Sequence, residues 1–269
     1  AIAAHSYSIL GRVDLDAALL GEADAFANRA LSEWEGLMAK ALPGPKARQC
    51  GLYCLHQAGG LAFRWGRIAE AGMLFGRQVG IARALESEMR TPAARRDLSV
   101  SLDNVAGVLK AQGDLPGALE RYEESLKIAR ALESEMRTPE ARRDLSVSLD
   151  DVGRVRVLSE QPGFRECFEE ALGIKRGIEA ELKTPDARRG LAITLDYMAF
   201  SFESERDLSR AQATYEESLE IRRNLASELR TPEARRDLAI TLNSIGRVLA
   251  SQLNFVGAWE RFEEPLAIS

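Results

Sequence analysis

Three side chains sit close enough in sequence to do chemistry together: Cys50, Cys54 and His56. A thiolate is a nucleophile and a soft metal ligand, and imidazole is a base or a ligand at neutral pH. On a helix, Cys50 and Cys54 lie four apart and share a face, whereas His56 is two past Cys54 and points elsewhere. A structural zinc site needs four convergent ligands, and a Cys–His nucleophile needs its base within hydrogen-bond reach. This spacing supplies neither. His5 is the only other histidine. Gly51 and Gly59-Gly60 fall inside a helical pattern and lack the strand that precedes a phosphate-binding loop. The paired carboxylates Glu123-Glu124 and Glu216-Glu217 read as a solvated helix face. No catalytic residue, metal site or cofactor is expected. An enzyme using Cys50, Cys54 and His56 stands as the alternative.

Charge narrows the partners. Lysine and arginine number 36 against 41 aspartates and glutamates, a formal charge of -5. That near balance argues against nucleic acid, which needs a basic face; helical-repeat RNA binding is a further alternative. No stretch reaches the roughly 20 apolar residues of a membrane span. Three cysteines are too few and too odd in number for a disulfide framework, so a reducing, cytoplasmic compartment is expected. The chain starts at Ala1 rather than Met and stops at Ser269 inside a helical pattern, which reads as a fragment of a larger protein.

The elements that position these residues are repeats. Thr91-Pro92-Ala93-Ala94-Arg95-Arg96-Asp97-Leu98 recurs as Thr138 to Leu145, Thr184 to Leu191 and Thr231 to Leu238, at spacings of 47, 46 and 47 residues. Ile81 to Asn104 and Ile128 to Asp151 agree at 22 of 24 positions. Each Thr-Pro is a helix start: a threonine cap, then proline at the first helical position, where its missing N–H costs nothing. Leu145, Leu149, Val152 and Val155 then follow at helical spacing. Gln112-Gly113-Asp114 reads as a turn. A second helix carries Leu115, Ala118, Leu119, Tyr122, Leu126, Ala129, Leu132 and Met136 on one face.

This pattern resembles the tetratricopeptide repeat, which has a Leu-Gly pair on the first helix, a turn glycine, and an alanine and an aromatic on the second. Val105-Ala106, Leu109, Gly113, Ala118 and Tyr122 take those places in one unit. Met198-Ala199, Phe202, Ala211 and Tyr215 do so in another, and Ile245-Gly246, Leu249, Ala258 and Phe262 in a third. Ala58-Gly59, Ala62, Gly66, Ala71 and Phe75 fit an earlier unit. The resemblance covers roughly residues 46–269. It implies an all-α, right-handed superhelical solenoid of antiparallel helix pairs, with units near 46–90, 91–137, 138–183, 184–230 and 231–269. Residues 1–45, with helices expected over Ala4 to Leu10 and Leu15 to Met38, are expected to form a degenerate or capping pair.

The sequence departs from the family in three ways. The period exceeds the family's usual 34 or so residues, which lengthens the helices. The unit from Thr138 lacks one residue between its helices and carries Phe164 in place of the small alanine. Pro265 lies well inside the last helix, where proline costs about 3 kcal/mol, so that helix is expected to be kinked or cut short.

Two ladders of polar residues recur. The pairs Arg95-Arg96, Arg142-Arg143, Arg188-Arg189 and Arg235-Arg236 sit in the first turn of a helix, where the macrodipole disfavours cations. Glutamates ending the preceding outer helix, Glu86, Glu88, Glu133 and Glu135, are the expected counter-charges. Mapping the family's concave groove onto the first helices gives one row of His56, Asp103, Asp150, Asp196 and Asn243. The row one turn later holds Gly60, Gly107, Arg154, Phe200 and Arg247. Members that clamp a C-terminal carboxylate use Lys and Asn in the groove; acids stand here instead. The expected function is a protein-interaction scaffold or regulatory module. Its partner is a protein or peptide, basic if the aspartates face it; Asp150 paired with Arg154 in solvent is the structural alternative. The resemblance to long-repeat bacterial arrays also implies an enzymatic domain elsewhere in a parent chain.

Overall fold

The computed structural model describes residues 17–38 and 44–267, and every regular element among them is an α-helix. The chain divides into two compact units, Ala1–Met136 and Arg137–Ser269. The first holds α1 (Ala17–Met38), α2 (Pro45–Arg64), α3 (Ile68–Met89), α4 (Pro92–Ala111) and α5 (Leu115–Met136). The second holds α6 (Pro139–Leu158), α7 (Phe164–Leu182), α8 (Pro185–Ser204), α9 (Leu208–Leu229), α10 (Pro232–Ser251) and α11 (Phe255–Ala267). Within each unit, every helix packs on the next. The architecture is an all-α solenoid of antiparallel helix pairs.

The starts of the inner helices follow from the Thr-Pro signal. Thr91 Oγ1 accepts from Ala94 N at 3.2 Å, and Thr138, Thr184 and Thr231 make the same bond with Ala141, Ala187 and Ala234. Before each threonine a basic residue, Arg90, Arg137, Lys183 or Arg230, turns the chain with φ near +50°. Its N–H closes the outer helix, as Arg90 N does on Glu86 O at 2.8 Å. Within each unit, one αL residue and one cap therefore make the whole connection between consecutive pairs.

Small residues set the spacing between helices. Ala71, Ala118 and Ala211 are fully buried on the outer helices. On the inner helices a Cβ added at Gly59, Gly153 or Gly246 would lie 2.5–2.7 Å from the ring of Phe75, Phe168 or Phe262. The Leu-Gly and aromatic places of the repeat thus meet face to face. Gly51 has the same use, because the ring of Trp34 on α1 lies against it and Trp34 Nε1 donates to Ala47 O at 2.8 Å. Trp34, Leu31 and Ala27 bury α1 on the core of the first unit. Expectations for Ala4 to Leu10, including His5, lie outside the described residues. In α7, Phe164 is half-buried against the Phe168–Leu195 core, which is how that junction absorbs the larger side chain.

Two expectations change. The helical backbone of α11 continues through Pro265 to Ala267. Pro265 stands two residues from that end, and the bond its missing N–H forgoes is the one to the Arg261 carbonyl in the turn before it. The arginine ladder is paired one repeat away from the expected place. Arg95 meets Glu135 at 2.5 Å, Arg142 meets Glu181 at 2.5 Å and Arg188 meets Glu228 at 2.7 Å. Each partner ends the outer helix of the same pair, because antiparallel packing brings the start of one helix beside the end of its mate. Arg48 and Glu88 form the same clasp.

Candidate functional site

The inner helices carry the candidate site, and its geometry rests on residues that recur at one repeat position. In the second unit, Asp150 on α6 is 4% exposed. Lys175 on α7 donates from Nζ to its Oδ2 at 2.5 Å and to Thr194 Oγ1 on α8 at 2.7 Å, and Thr194 donates in turn to Asp150 at 2.8 Å. One repeat on, Arg222 of α9 meets Asp196 of α8 at 2.6 Å, and Thr241 of α10 donates to the same carboxylate at 3.2 Å. Each polar knot ties an inner helix, its outer mate and the next inner helix. Burial pushes both carboxyls above their usual range, against the opposing pull of Lys175 and Arg222 respectively.

These carboxylates therefore do not form an open acidic row. The expected solvent pair of Asp150 with Arg154 is replaced: Arg154 reaches Asp151 at 3.3 Å and stacks 4.7 Å over the Tyr197 ring. Lys175 takes Asp150 because it points inward from the outer helix, a direction that spacing along one helix does not reveal. Asp103 is half-buried, and Asn243, Phe200 and Arg247 are exposed on their helices. Arg247 lies 3.6 Å from Glu203. In the first unit, His56 Nδ1 sits 2.9 Å from Asn104 Nδ2, which also donates to Gln78 Oε1 at 3.0 Å. His56 is thus engaged away from the two cysteines. Burial lowers its basicity, and burial together with neighbouring Cys50 pushes the Cys54 thiol up. Both shifts work against a thiolate–imidazole pair. The acidic outer face is also not simply solvated: Glu124, Glu217 and Glu264 pair with Arg83, Arg176 and Arg223 of the outer helix one repeat before.

Asp150 and Arg154 do come together, in the wall of a cavity of about 500 Å³ between α6 and α8. Arg143, Val147, Lys175, Gly190 and Ile193 also line it. Val147 is 43% exposed, and Ile240 at the matching place on α10 is 51% exposed. Val100 occupies that place in the first unit and is 41% exposed. An aliphatic residue at this place in the four Thr-Pro units, exposed as Val100, Val147 and Ile240 and half-buried as Ile193, is the feature that the reading of polar ladders missed. Its signal was present, since Val100, Val147, Ile193 and Ile240 stand at one position of the repeat.

No family model matches the chain, and no curated protein matches it. Solved structures do resemble it. BtubC from P. vanneervenii superposes with a TM-score of 0.64 at 20% identity, over 93% of this chain and 90% of that one. The apo form of RapI gives 0.57 at 14% identity, over 97% and 68%. The nearly identical TPR-like repeats of a kinesin light chain protein from Podosopora anserina give 0.55 at 16%, over 81% and 93%. The fold is that of the TPR-like helical repeat proteins. Among the described residues no helix is long and apolar enough to cross a membrane.

Proposed function

We propose that this chain is a protein-binding repeat module, and that an extended segment of a partner lies along the inner-helix face of the second unit. The observation that carries this reading is the cavity between α6 and α8, where exposed Val147 adjoins the charged groups of Arg143 and Arg154. Apolar contact supplies affinity and a few polar groups supply orientation, the usual division of labour in a recessed site. The TPR-like fold supports a scaffold or regulatory role. The free thiols of Cys50, Cys54 and Cys167 suit a reducing, cytoplasmic setting. A basic partner has less to recommend it than the sequence suggested, because Asp150 and Asp196 spend their charge on Lys175 and Arg222.

A displayed library of capped decapeptides, selected on the intact chain, tests this. Binders should be recovered, and Val147→Asp with Ile193→Asp should abolish their binding while Arg83→Ala, on the outer face, leaves it unchanged. Equal binding by all three chains would place the interaction elsewhere.

A further inference from the structure

One rung of the arginine ladder is missing, and the cavity lies where it should be. In the last full repeat, Asp237 on α10 is held by two cations: Arg189 of the preceding inner helix at 2.6 Å and Arg222 of the outer helix at 3.2 Å. The octapeptide that defines the repeat carries this aspartate as Asp97, Asp144 and Asp237, but has Gly190 in the unit from Thr184. The cations that would hold an aspartate there are Arg143, which matches Arg189, and Lys175, which matches Arg222. Both line the cavity.

The two cations are available. Arg143 is exposed, and no carboxylate among the described residues pairs with its guanidinium. Lys175 donates to Asp150 and Thr194. An ammonium has three N–H groups, so one remains, the counterpart of the Arg222 bond to Asp237. A Cβ built on Gly190 would meet only the Cδ of Lys175, at 4.0 Å, so a side chain can start there without a clash, and Gly190 lines the cavity.

We propose that this cavity receives an acidic side chain of a bound protein segment, whose carboxylate takes the place of the aspartate absent at position 190 and pairs with Arg143 and Lys175. The inference rests on the peptide-binding reading above and names the residue that such a segment must carry. Charge favours a monoanion. Of the cations around the cavity, Arg154 is paired with Asp151, Lys175 with Asp150 and Arg189 with Asp237, which leaves the Arg143 guanidinium to take a single carboxylate. A phosphate dianion would bring a second negative charge against Asp150, Asp151 and Asp186. Val147, Ile178, Leu182 and Ile193 offer an apolar wall for the stem of the side chain and its neighbours.

The test uses the intact chain, Gly190→Asp, Gly190→Ala and Arg143→Gln, each checked for native helicity, with a capped decapeptide library. Gly190→Asp restores the missing rung from within and should expel the peptide's acid. Gly190→Ala adds a methyl to open space and should not. The expected result is selection by wild type and Gly190→Ala of peptides with Asp or Glu at one fixed position. Affinity should fall by about tenfold or more in Gly190→Asp, in Arg143→Gln, and when the peptide's acid becomes Asn or Gln, as for loss of a charge-assisted bond. Selected peptides without a preferred acid, or undiminished binding to Gly190→Asp, would overturn the carboxylate site and leave the binding function standing. Recovery of binders only from an uncapped library would assign the carboxylate to a chain end instead, and succinate binding as tightly as the peptide would assign it to a small molecule; either result overturns the side-chain proposal. Recovery of no peptide on any chain would remove the proposed function itself.

Discussion

The two units solve the same packing problem with different chemistry. In each, a residue on an inner helix must be tied to the outer mate and to the next inner helix. The first unit does this with neutral groups, His56, Gln78 and Asn104. The second does it twice with buried ions, Asp150–Lys175–Thr194 and Asp196–Arg222–Thr241. The difference begins at one outer-helix position, which is Ala82 and Ala129 in the first unit and Lys175 and Arg222 in the second. The alanines are fully buried, and the two cations are 7% and 5% exposed. A buried cation costs several kcal/mol of desolvation unless a carboxylate meets it. The second unit therefore depends on its aspartates in a way that the first does not, and one of these cations, Lys175, also lines its cavity.

The largest expected effect breaks one knot in each unit. Asp150→Ala leaves the Lys175 ammonium buried with only a hydroxyl, and should destabilise the second unit by roughly 3–5 kcal/mol. Asn104→Ala leaves the neutral amide of buried Gln78 unsatisfied, and should cost the first unit about 1–3 kcal/mol. Asp150→Val combined with Lys175→Met removes both charges and should return stability to within about 1 kcal/mol of wild type. Denaturant titration followed by Trp34 and Trp65 for the first unit, and Trp259 for the second, reads the units separately. Similar costs for the two single variants would erase the distinction between ionic and neutral knots.

A smaller effect should be the same in both units. Thr91→Ala and Thr184→Ala each remove a cap that accepts one backbone N–H at 3.2 Å, and each should cost about 1 kcal/mol. A difference well beyond that between the two would show that the units differ in their local elements and not only in their polar knots.

The smallest effect is the pH dependence that His56 gives the first unit. Burial holds His56 below the usual imidazole value of about 6.5. On acidification the unfolded chain therefore takes up the proton first. Stability is full above about pH 6.5 and declines as pH falls toward the lowered folded value. His56→Gln should flatten that decline when denaturation midpoints at about pH 7.5 and 5.5 are compared. The second unit contains no histidine and should show no change on this substitution; a flattening there as well would argue against the assignment to His56.

Much of the fold was legible because its signals are local. A threonine, a proline and a period-3.6 stripe decide where Pro139–Leu158 or Pro232–Ser251 begins and which face is apolar. Alanine, glycine and aromatic residues at matched places foretold close crossings, and Gly153 against Phe168 shows why only hydrogen fits there. The site was less legible. Arg95 was assigned to the wrong glutamates because sequence proximity suggested the preceding helix, whereas antiparallel packing supplied Glu135. Asp150 was matched to Arg154 by an i,i+4 rule, although Lys175 reaches it from another helix.

The sequence by itself determined that the chain is a series of capped helix pairs with a conserved internal spacing, since propensity, capping and periodicity act within a few residues. It also contained Gly190 where the other Thr-Pro units have Asp97, Asp144 and Asp237, without indicating its meaning. Only the tertiary structure decided which charges are spent in the interior and which remain at the surface. Desolvation and pairing depend on distances between helices some 25 to 48 residues apart, such as Lys175 to Asp150 and Arg189 to Asp237. It is that arrangement, and not the repeat pattern, that leaves Arg143 without a paired carboxylate among the described residues, at the side of an open cavity.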